Sequence, residues 1–363
     1  MLKSTSATLI LENGQRFAGF SFGAQCSTSG EVVFNTSMTG YPESLSDPSY
    51  AGQILVLTFP LIGNYGVPSQ DKQLFGLPEF FESNKIHIKA LVISDYSMQY
   101  SHWNAVESLA SWMNRENIPG IYGVDTRELT KIIREKGVML AKVHVDGTQE
   151  PKEFENPNTR NLVDEVSTKE IKTYGDGDNK IIMVDCGVKF NIIRCLIKRN
   201  CTVTVVPWNH DFTTMDYDGV MISNGPGDPE KCAETVNIIK KAIEVGKPIF
   251  GICLGNQLLA TAAGASTYKM KYGHRGHNQP AIECGTNNAL ITSQNHGYAI
   301  DPAKLGADWR PYYTNLNDDT IEGIIHNSKP FFSVQFHPEA SSGPVDSEFL
   351  FDRFLDNVKN FKK

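Results

Sequence analysis

The 363-residue sequence predicts an α/β protein. Its C-terminal domain is expected to be a doubly wound, mostly parallel sheet, preceded by an N-terminal α+β domain. Three observations carry this. Beyond residue 180, short apolar runs alternate with helical patterns, which implies right-handed crossovers and a parallel sheet covered on both faces. Before residue 150, strand and helix patterns mix without alternation. Between them the composition turns polar and gathers Pro151, Pro157 and Tyr174-Gly-Asp-Gly-Asp-Asn179, the mark of a linker. The expected organisation is 1–150 and 180–363, joined by a linker over 151–179 that holds one short helix.

In the first domain, Thr8 to Gly19 reads as a β-hairpin around Asn13-Gly14, the strongest short hairpin signal. Glu31–Thr36, Gln53–Phe59 and Ala90–Ser94 read as apolar strands. Tyr41–Tyr50, with Pro42 and Pro48, reads as a polar, turn-rich stretch. Helical patterns cover Trp103–Glu116 and Asp125–Lys136, the second capped by Asp125 or Thr126 and stopped by Gly137.

In the second domain the expected strands are Lys180–Asp185, Thr202–Val206, Gly219–Ser223 and Pro248–Ile252. The helices are Lys189–Arg199 and Pro229–Val245. The last strand runs towards Leu258–Ala263, a run of helix formers closed by Gly264. Between them lies Gly251-Ile-Cys253-Leu-Gly255, laid out like a nucleophile elbow. Glycines flank the turn because the backbone packs there with no room for a Cβ. The turn presents Cys253 at the sheet end and aims the first helical N–H groups at its sulfur, which favours a thiolate. At a neighbouring strand end, Ser223-Asn-Gly225-Pro-Gly227-Asp-Pro229 is by composition a tight turn. Beside a nucleophile it is also a source of N–H groups for an oxyanion. No Gly-Lys-Ser/Thr follows its glycines, so it does not read as a phosphate loop.

Composition narrows the function. The net charge is −7 with both signs mixed along the chain, which suggests neither nucleic acid nor a membrane surface as partner. No apolar run reaches membrane-spanning length, and Met1-Leu-Lys-Ser-Thr-Ser6 lacks a signal-peptide core, so a cytoplasmic location is expected. Seven cysteines without a repeating spacing fit reduced thiols, and no Cys/His spacing offers a metal site.

A thiol nucleophile needs a base, and the base a partner that orients it. Of the nine histidines, His87, His102, His144, His210 and His326 lie in polar contexts without a partner signal. His274 and His277 belong to Tyr272-Gly-His-Arg-Gly-His-Asn-Gln-Pro280, expected as a loop. His296 follows the apolar Ala289–Ile291 strand. His337 ends the apolar Phe331–Phe336 strand and is followed by Pro338-Glu339, so imidazole and carboxylate stand together at a strand end, with Pro338 fixing the turn.

With the Cys253 elbow, the Gly225/Gly227 loop and Gln335-Phe-His-Pro-Glu339 in this order, the chain resembles the class I, triad-type glutamine amidotransferases. More closely it is similar to the glutaminase subunit or domain of glutamine-dependent carbamoyl phosphate synthetases. That likeness rests on Val33-Phe-Asn-Thr-Ser-Met-Thr-Gly-Tyr41, Leu45-Ser-Asp-Pro-Ser-Tyr50, Gly123-Val-Asp-Thr-Arg127, Gly273-His-Arg-Gly-His-Asn-Gln-Pro280 and Gln294-Asn-His-Gly-Tyr298. It covers almost the whole chain. Tyr65-Gly-Val and Val205-Val-Pro-Trp-Asn-His210 look like the form fused to the synthetase in eukaryotic pyrimidine-pathway proteins.

The resemblance implies Cys253 as nucleophile, His337 as general base and later acid, and Glu339 as its orienting partner. It implies glutamine contacts at Ser49, Gly225, Gly227, Leu254, Gln257, Asn295, Gly297 and Tyr298, with Ser49 reaching the site from the first domain. The implied substrate is L-glutamine, and the implied partner is a synthetase large subunit or fused synthetase domain. The ammonia would serve carbamoyl phosphate for pyrimidine or arginine synthesis. No cofactor is expected in this chain, since ATP and magnesium belong to the synthetase. Asn256 stands where many members carry His, so chemistry is expected to survive there, with affinity or coupling open to change. Members that use free ammonia have lost the Cys, whereas this chain keeps Cys253, His337 and Glu339. Two alternatives stand beside the glutaminase: a docking or regulatory subunit, for which Asn256 speaks, and a γ-glutamyl hydrolase, against which the Ser46-Asp-Pro-Ser49 motif speaks.

Overall fold

The computed structural model describes residues 5–363. The chain forms two compact units, one running to Gln73 and resuming over Pro78–Thr159, the other made of Leu74–Leu77 with Arg160–Lys363.

The N-terminal unit is a closed seven-stranded barrel. Its strands are β1 (Ser6–Leu11), β2 (Arg16–Gly23), β3 (Thr28–Asn35), β4 (Gln53–Leu57), β5 (Ala90–Val92), β6 (Pro119–Tyr122) and β7 (Met139–Val145). Their order is β1-β7-β3-β4-β5-β6-β2, with β2 returning to β1. The Asn13-Gly14 hairpin forms as expected, with Gly14 at φ 88°. Two expectations are corrected. Tyr41–Tyr50 is not a turn-rich stretch throughout but helix α1 (Tyr41–Ser46) followed by a 3₁₀ turn (Pro48–Tyr50). Tyr41, Leu45 and Tyr50 join the core with Val33, Leu55, Phe81, Leu91 and Trp112, and that burial outweighs local turn propensity. The helix expected from Trp103 begins only at Leu109 as α2 (Leu109–Arg115), where Ser108 Oγ accepts the Ser111 N–H at 3.1 Å. Helix α3 (Thr126–Lys136) is capped by Asp125 and stopped at Gly137, φ 99°.

The C-terminal unit is one ten-stranded sheet. In chain order its strands are β8 (Lys172–Tyr174), β9 (Asn179–Asp185), β10 (Cys201–Pro207), β11 (Gly219–Ile222), β12 (Ile249–Ile252), β13 (Ser266–Glu283), β14 (Ala289–Asp301), β15 (Trp309–Asn315), β16 (Ile321–His326) and β17 (Phe331–Val334). They lie side by side as β8-β10-β9-β11-β12-β17-β16-β14-β13-β15. From β10 to β17 the neighbours are parallel, which gives the doubly wound core. From β17 outward they are antiparallel.

Helices cover both faces. α5 (Phe190–Ile197) and α8 (Phe349–Phe361) bury Ile192, Leu196, Phe351 and Phe354 on one side. α6 (Ala233–Val245) and α7 (Leu254–Ala262) bury Ile239, Leu258 and Leu259 on the other. The stretch read as a linker is structured towards its end, with α4 (Leu162–Val166) and with β8 paired to β10. The segment 272–280, expected as a loop, lies within β13, and His296 sits mid-strand in β14 rather than beyond a short one. The buried polar side chains of this ribbon bond to each other, so it lacks the apolar alternation that marks a strand.

Candidate active site

The site gathers where β12 and β17 end, at the carboxyl edge of the parallel core. Cys253 joins β12 to α7 with φ 55° and ψ −104°, a left-handed backbone that a non-glycine residue seldom adopts. Tight packing holds it there. A Cβ on Gly251 would lie 2.5 Å from the Gly255 carbonyl oxygen, and one on Gly255 would lie 2.2 Å from that of Ile222. The Cys253 N–H donates to the Val334 carbonyl at 2.9 Å, fastening the elbow to β17. Its thiol is buried and points to the Asn295 carbonyl at 3.7 Å.

β17 delivers the base. His337 lies just beyond its end, with its N–H donated to Ser293 at 2.9 Å. Its Nδ1 is 2.6 Å from Glu339 Oε1, and both side chains are buried. Nε2 makes no hydrogen bond at ordinary distance among the described residues, yet the Cys253 sulfur is near enough to raise the imidazole's proton affinity. Burial disfavours the imidazolium, but the Glu339 charge and then the Cys253 sulfur outweigh it and push His337 up to about 10. Burial likewise acts against the Glu339 carboxylate, but Lys189 first and His337 second bring it down to about 2.

Lys189 is the residue that sequence reasoning missed. Its ammonium is buried 3.0 Å from Glu339 Oε1 and donates to the Ala340 carbonyl at 2.6 Å. Asn191 donates to the Glu339 carbonyl at 2.6 Å. Asn224 Oδ1 accepts the Lys189 N–H at 3.0 Å, so the 223–228 loop and the start of α5 are tied together behind the carboxylate. A lysine heading a helix gives no signal of this in sequence, where it reads as a solvated charge.

Most of the predicted glutamine contacts fall around Cys253. Leu254 opens α7, and a Cβ on Gly225 would come within 2.9 Å of its side chain. Gly227 sits at φ 85° in the same loop. Gln257 Nε2 donates to the Tyr298 carbonyl and to Gln335 Oε1, both at 3.0 Å. Asn295, Gly297 and Tyr298 follow one another on β14. Ser49 lies in the N-terminal unit, buried in the 3₁₀ turn, its N–H donated to Asp47 Oδ1 at 2.9 Å. Asn256 is wholly buried. It donates to Gln335 Oε1 at 3.1 Å and accepts from Ser333 Oγ at 2.8 Å.

Behind β14 lies a group that the sequence does not bring together. His274, His296 and Glu322, from three different strands, hold donor atoms within 4.8 Å of one another, all buried. Among the described residues this is the one such cluster of metal-ligating types.

Comparison with known proteins follows the two units. The family model described as Glutamine amidotransferase class-I matches residues 182–357. That described as Carbamoyl-phosphate synthase small chain, CPSase domain, matches residues 9–143. The arginine-specific small chain of carbamoyl phosphate synthase from Saccharomyces cerevisiae is 50% identical over 371 residues, covering 99% of this chain and 90% of that one. Multifunctional protein CAD of Squalus acanthias is 56% identical over 360 residues, covering 98% of this chain and 16% of that protein. The mitochondrial carbamoyl-phosphate synthase (ammonia) of Homo sapiens is 50% identical over 365 residues, covering 99% of this chain and 24% of that protein. The chain thus spans a quarter or less of these two longer relatives. No helix among the described residues is long and apolar enough to cross a membrane.

Proposed function

The chain belongs to the carbamoyl-phosphate synthase small-chain family and carries its class I glutamine amidotransferase domain, and on that premise we propose that it hydrolyses glutamine to glutamate and ammonia for a carbamoyl phosphate synthetase. The observation that carries this reading is the buried array at the sheet edge. A cysteine on a strained elbow lies near enough to act on an imidazole whose Nδ1 is 2.6 Å from a carboxylate.

Cys253 gives its proton to His337 Nε2, and the sulfur attacks the side-chain amide carbon of glutamine. The resulting oxyanion is met by N–H groups at Leu254 and in the Gly225–Gly227 loop, an effect of about 3–4 kcal/mol per donor in comparable sites. His337 then protonates the amide nitrogen, which leaves as ammonia and frees a γ-glutamyl thioester on Cys253. Water, deprotonated by His337, cleaves the thioester to glutamate and returns the thiol. Glu339 keeps the imidazole in one tautomer and stabilises its charged form. Gln257, Asn295, Gly297 and Tyr298 hold the amino-acid end of the substrate. The ATP- and magnesium-dependent steps belong to the synthetase, as a separate large subunit or a fused domain.

The test is glutamate release by the purified chain, alone and with the synthetase, beside Cys253→Ser. Release that rises with the synthetase and vanishes in the variant is the expected result. Wild type and variant equally silent with the synthetase present would overturn the reading and leave a docking subunit.

A further inference from the structure

The cluster behind β14 has no part in the chemistry above, yet it is built as closely as the triad. His274 on β13 lies opposite His296 on β14 in the strand register. Its Nε2 is 2.9 Å from Asp318 Oδ2, and its Nδ1 is 3.4 Å from Glu322 Oε1. Glu322 is wholly buried, takes a hydrogen bond from Asn315 at 2.9 Å, and has no partner for Oε2 among the described residues. Such a carboxylate is costly without a cation beside it. The cation at hand is the His274 imidazolium. Burial acts against it, but Glu322 and Asp318 outweigh burial and raise His274 above the ordinary 6.5.

The His274 ring meets His296 edge-on, with centroids 5.0 Å apart and planes at 88°. Burial first and the His274 charge second keep His296 neutral. His296 Nδ1 contacts the Tyr298 carbonyl at 2.9 Å, and Nε2 contacts Gln294 Oε1 at 3.0 Å. The same Tyr298 carbonyl accepts from Gln257 Nε2 at 3.0 Å. A continuous set of contacts therefore runs from Glu322 through His274 and His296 to Tyr298 and Gln257. Asn295, whose carbonyl faces the Cys253 thiol at 3.7 Å, lies between the two anchored residues Gln294 and His296.

We propose that His274, clamped between Glu322 and Asp318, is a positioning residue that fixes His296 and with it the 294–298 segment in the form that binds glutamine. The proposal rests on the glutaminase reading for the identity of the ligand. It separates two jobs within one site: the elbow and β17 set the rate of chemistry, and the buried ionic cluster sets affinity. Without the His274 ring between them, Glu322 and Asp318 lose the partner that both contact. His296 is then drawn from the Tyr298 carbonyl, and the segment loses its register against Gln257.

The experiment compares His274→Gln, Glu322→Gln and the double variant with wild type in glutamine kinetics. Asp318→Asn is added as a variant at the half-exposed rim that leaves the buried pair intact. Each single buried variant is expected to raise KM for glutamine about tenfold or more with kcat within threefold. The double variant is expected to be no worse than the worse single, because both remove one interaction. Asp318→Asn is expected to raise KM about twofold to threefold. Unchanged KM in all of them overturns the proposal, and so do equal losses in kcat, which mark general loosening. Glutamine binding by thermal shift in a Cys253→Ser background reads affinity without turnover. A wild type that releases no glutamate sinks the glutaminase reading, while the binding measurement alone still decides the role of His274.

Discussion

The two halves of the C-terminal sheet use the same residue type for opposite ends. At the edge of the parallel half, a Cβ on Gly255 would meet the Ile222 carbonyl oxygen at 2.2 Å, so the backbone has no freedom and Cys253 is held in a conformation it would not choose. On the antiparallel ribbon, a Cβ on Gly297 would meet only the tip of the Arg275 side chain at 3.2 Å. The first glycine is a requirement of the fold, and the second is crowded only by one side-chain tip. On the proposed reading, bond-making falls where the backbone is over-determined, and recognition falls where side chains and a buried cluster can be tuned without rebuilding the sheet.

Substitution at Gly255 should therefore have the largest effect. Gly255→Ala forces the elbow off Ile222, and we expect a stability loss of about 3 kcal/mol or more. That is a fall in Tm of roughly 10 °C for a unit of this size, together with loss of glutamate release. A variant that melts like wild type and turns over normally would show that the elbow is softer than its packing suggests.

Lys189→Met comes next, since it removes the strongest charge acting on Glu339. Glu339 is held down at about 2, so its ionised pairing contributes stability that is present above the ordinary 4.5 and lost as pH falls towards about 2. Taking Lys189 away raises the Glu339 pKa and moves that loss to higher pH. Acid unfolding is expected to shift up by about 1 pH unit, and kcat to fall roughly 100-fold as the imidazole loses its fixed orientation. His337 works in the opposite sense. Being raised to about 10, its contribution is complete below 6.5 and fades as pH climbs through 10. The stability difference between wild type and His337→Gln should shrink across that alkaline range.

The parallel half was legible in the sequence because its elements obey simple periods. Apolar runs of strand length, helices with a clear apolar face, and glycines at the elbow all follow from burial and sterics, so Cys253, His337 and Glu339 could be singled out. The ribbon was legible only at Ala289–Ile291, the apolar start of β14. Gly273–Pro280 and Gln294–Tyr298 are polar, and their strand character comes from pairing along β13 and β14 and from hydrogen bonds among buried side chains. Lys189 escaped for a related reason. Its partner lies 150 residues away, and no local pattern distinguishes a lysine that neutralises a buried carboxylate from one that faces water. In the N-terminal unit, Tyr41–Tyr50 misled because turn-forming residues carry the tyrosines and leucine that fill the barrel end.

Gly297→Ala sharpens the comparison from the ribbon side. The added methyl meets one guanidinium nitrogen of Arg275 and not backbone, and that side chain has only to give by a few tenths of an ångström, so the melting temperature should stay within about 2 °C of wild type, a change under 1 kcal/mol. The methyl would occupy space proposed for the substrate's head group, and KM for glutamine is expected to rise about tenfold with kcat little changed. Loss of kcat without a change in KM would move Gly297 out of the binding surface.

Asn256 offers the smallest effect and lies on the seam between the two halves. Its side chain joins α7 to β17 through Gln335 and Ser333 and, among the described residues, makes no hydrogen bond to the Cys253 thiol. In Asn256→Ala, Gln335 Oε1 keeps its bond from Gln257, while Ser333 Oγ is left as a buried hydroxyl without its acceptor. A cost of about 1–2 kcal/mol in stability is expected from that orphaned donor, with kcat and KM each within about threefold of wild type because neither the triad nor the 294–298 segment loses a partner. A drop in kcat beyond tenfold would place Asn256 in the chemistry. The boundary between the rate-setting edge and the affinity-setting ribbon would then have to be drawn on the far side of α7.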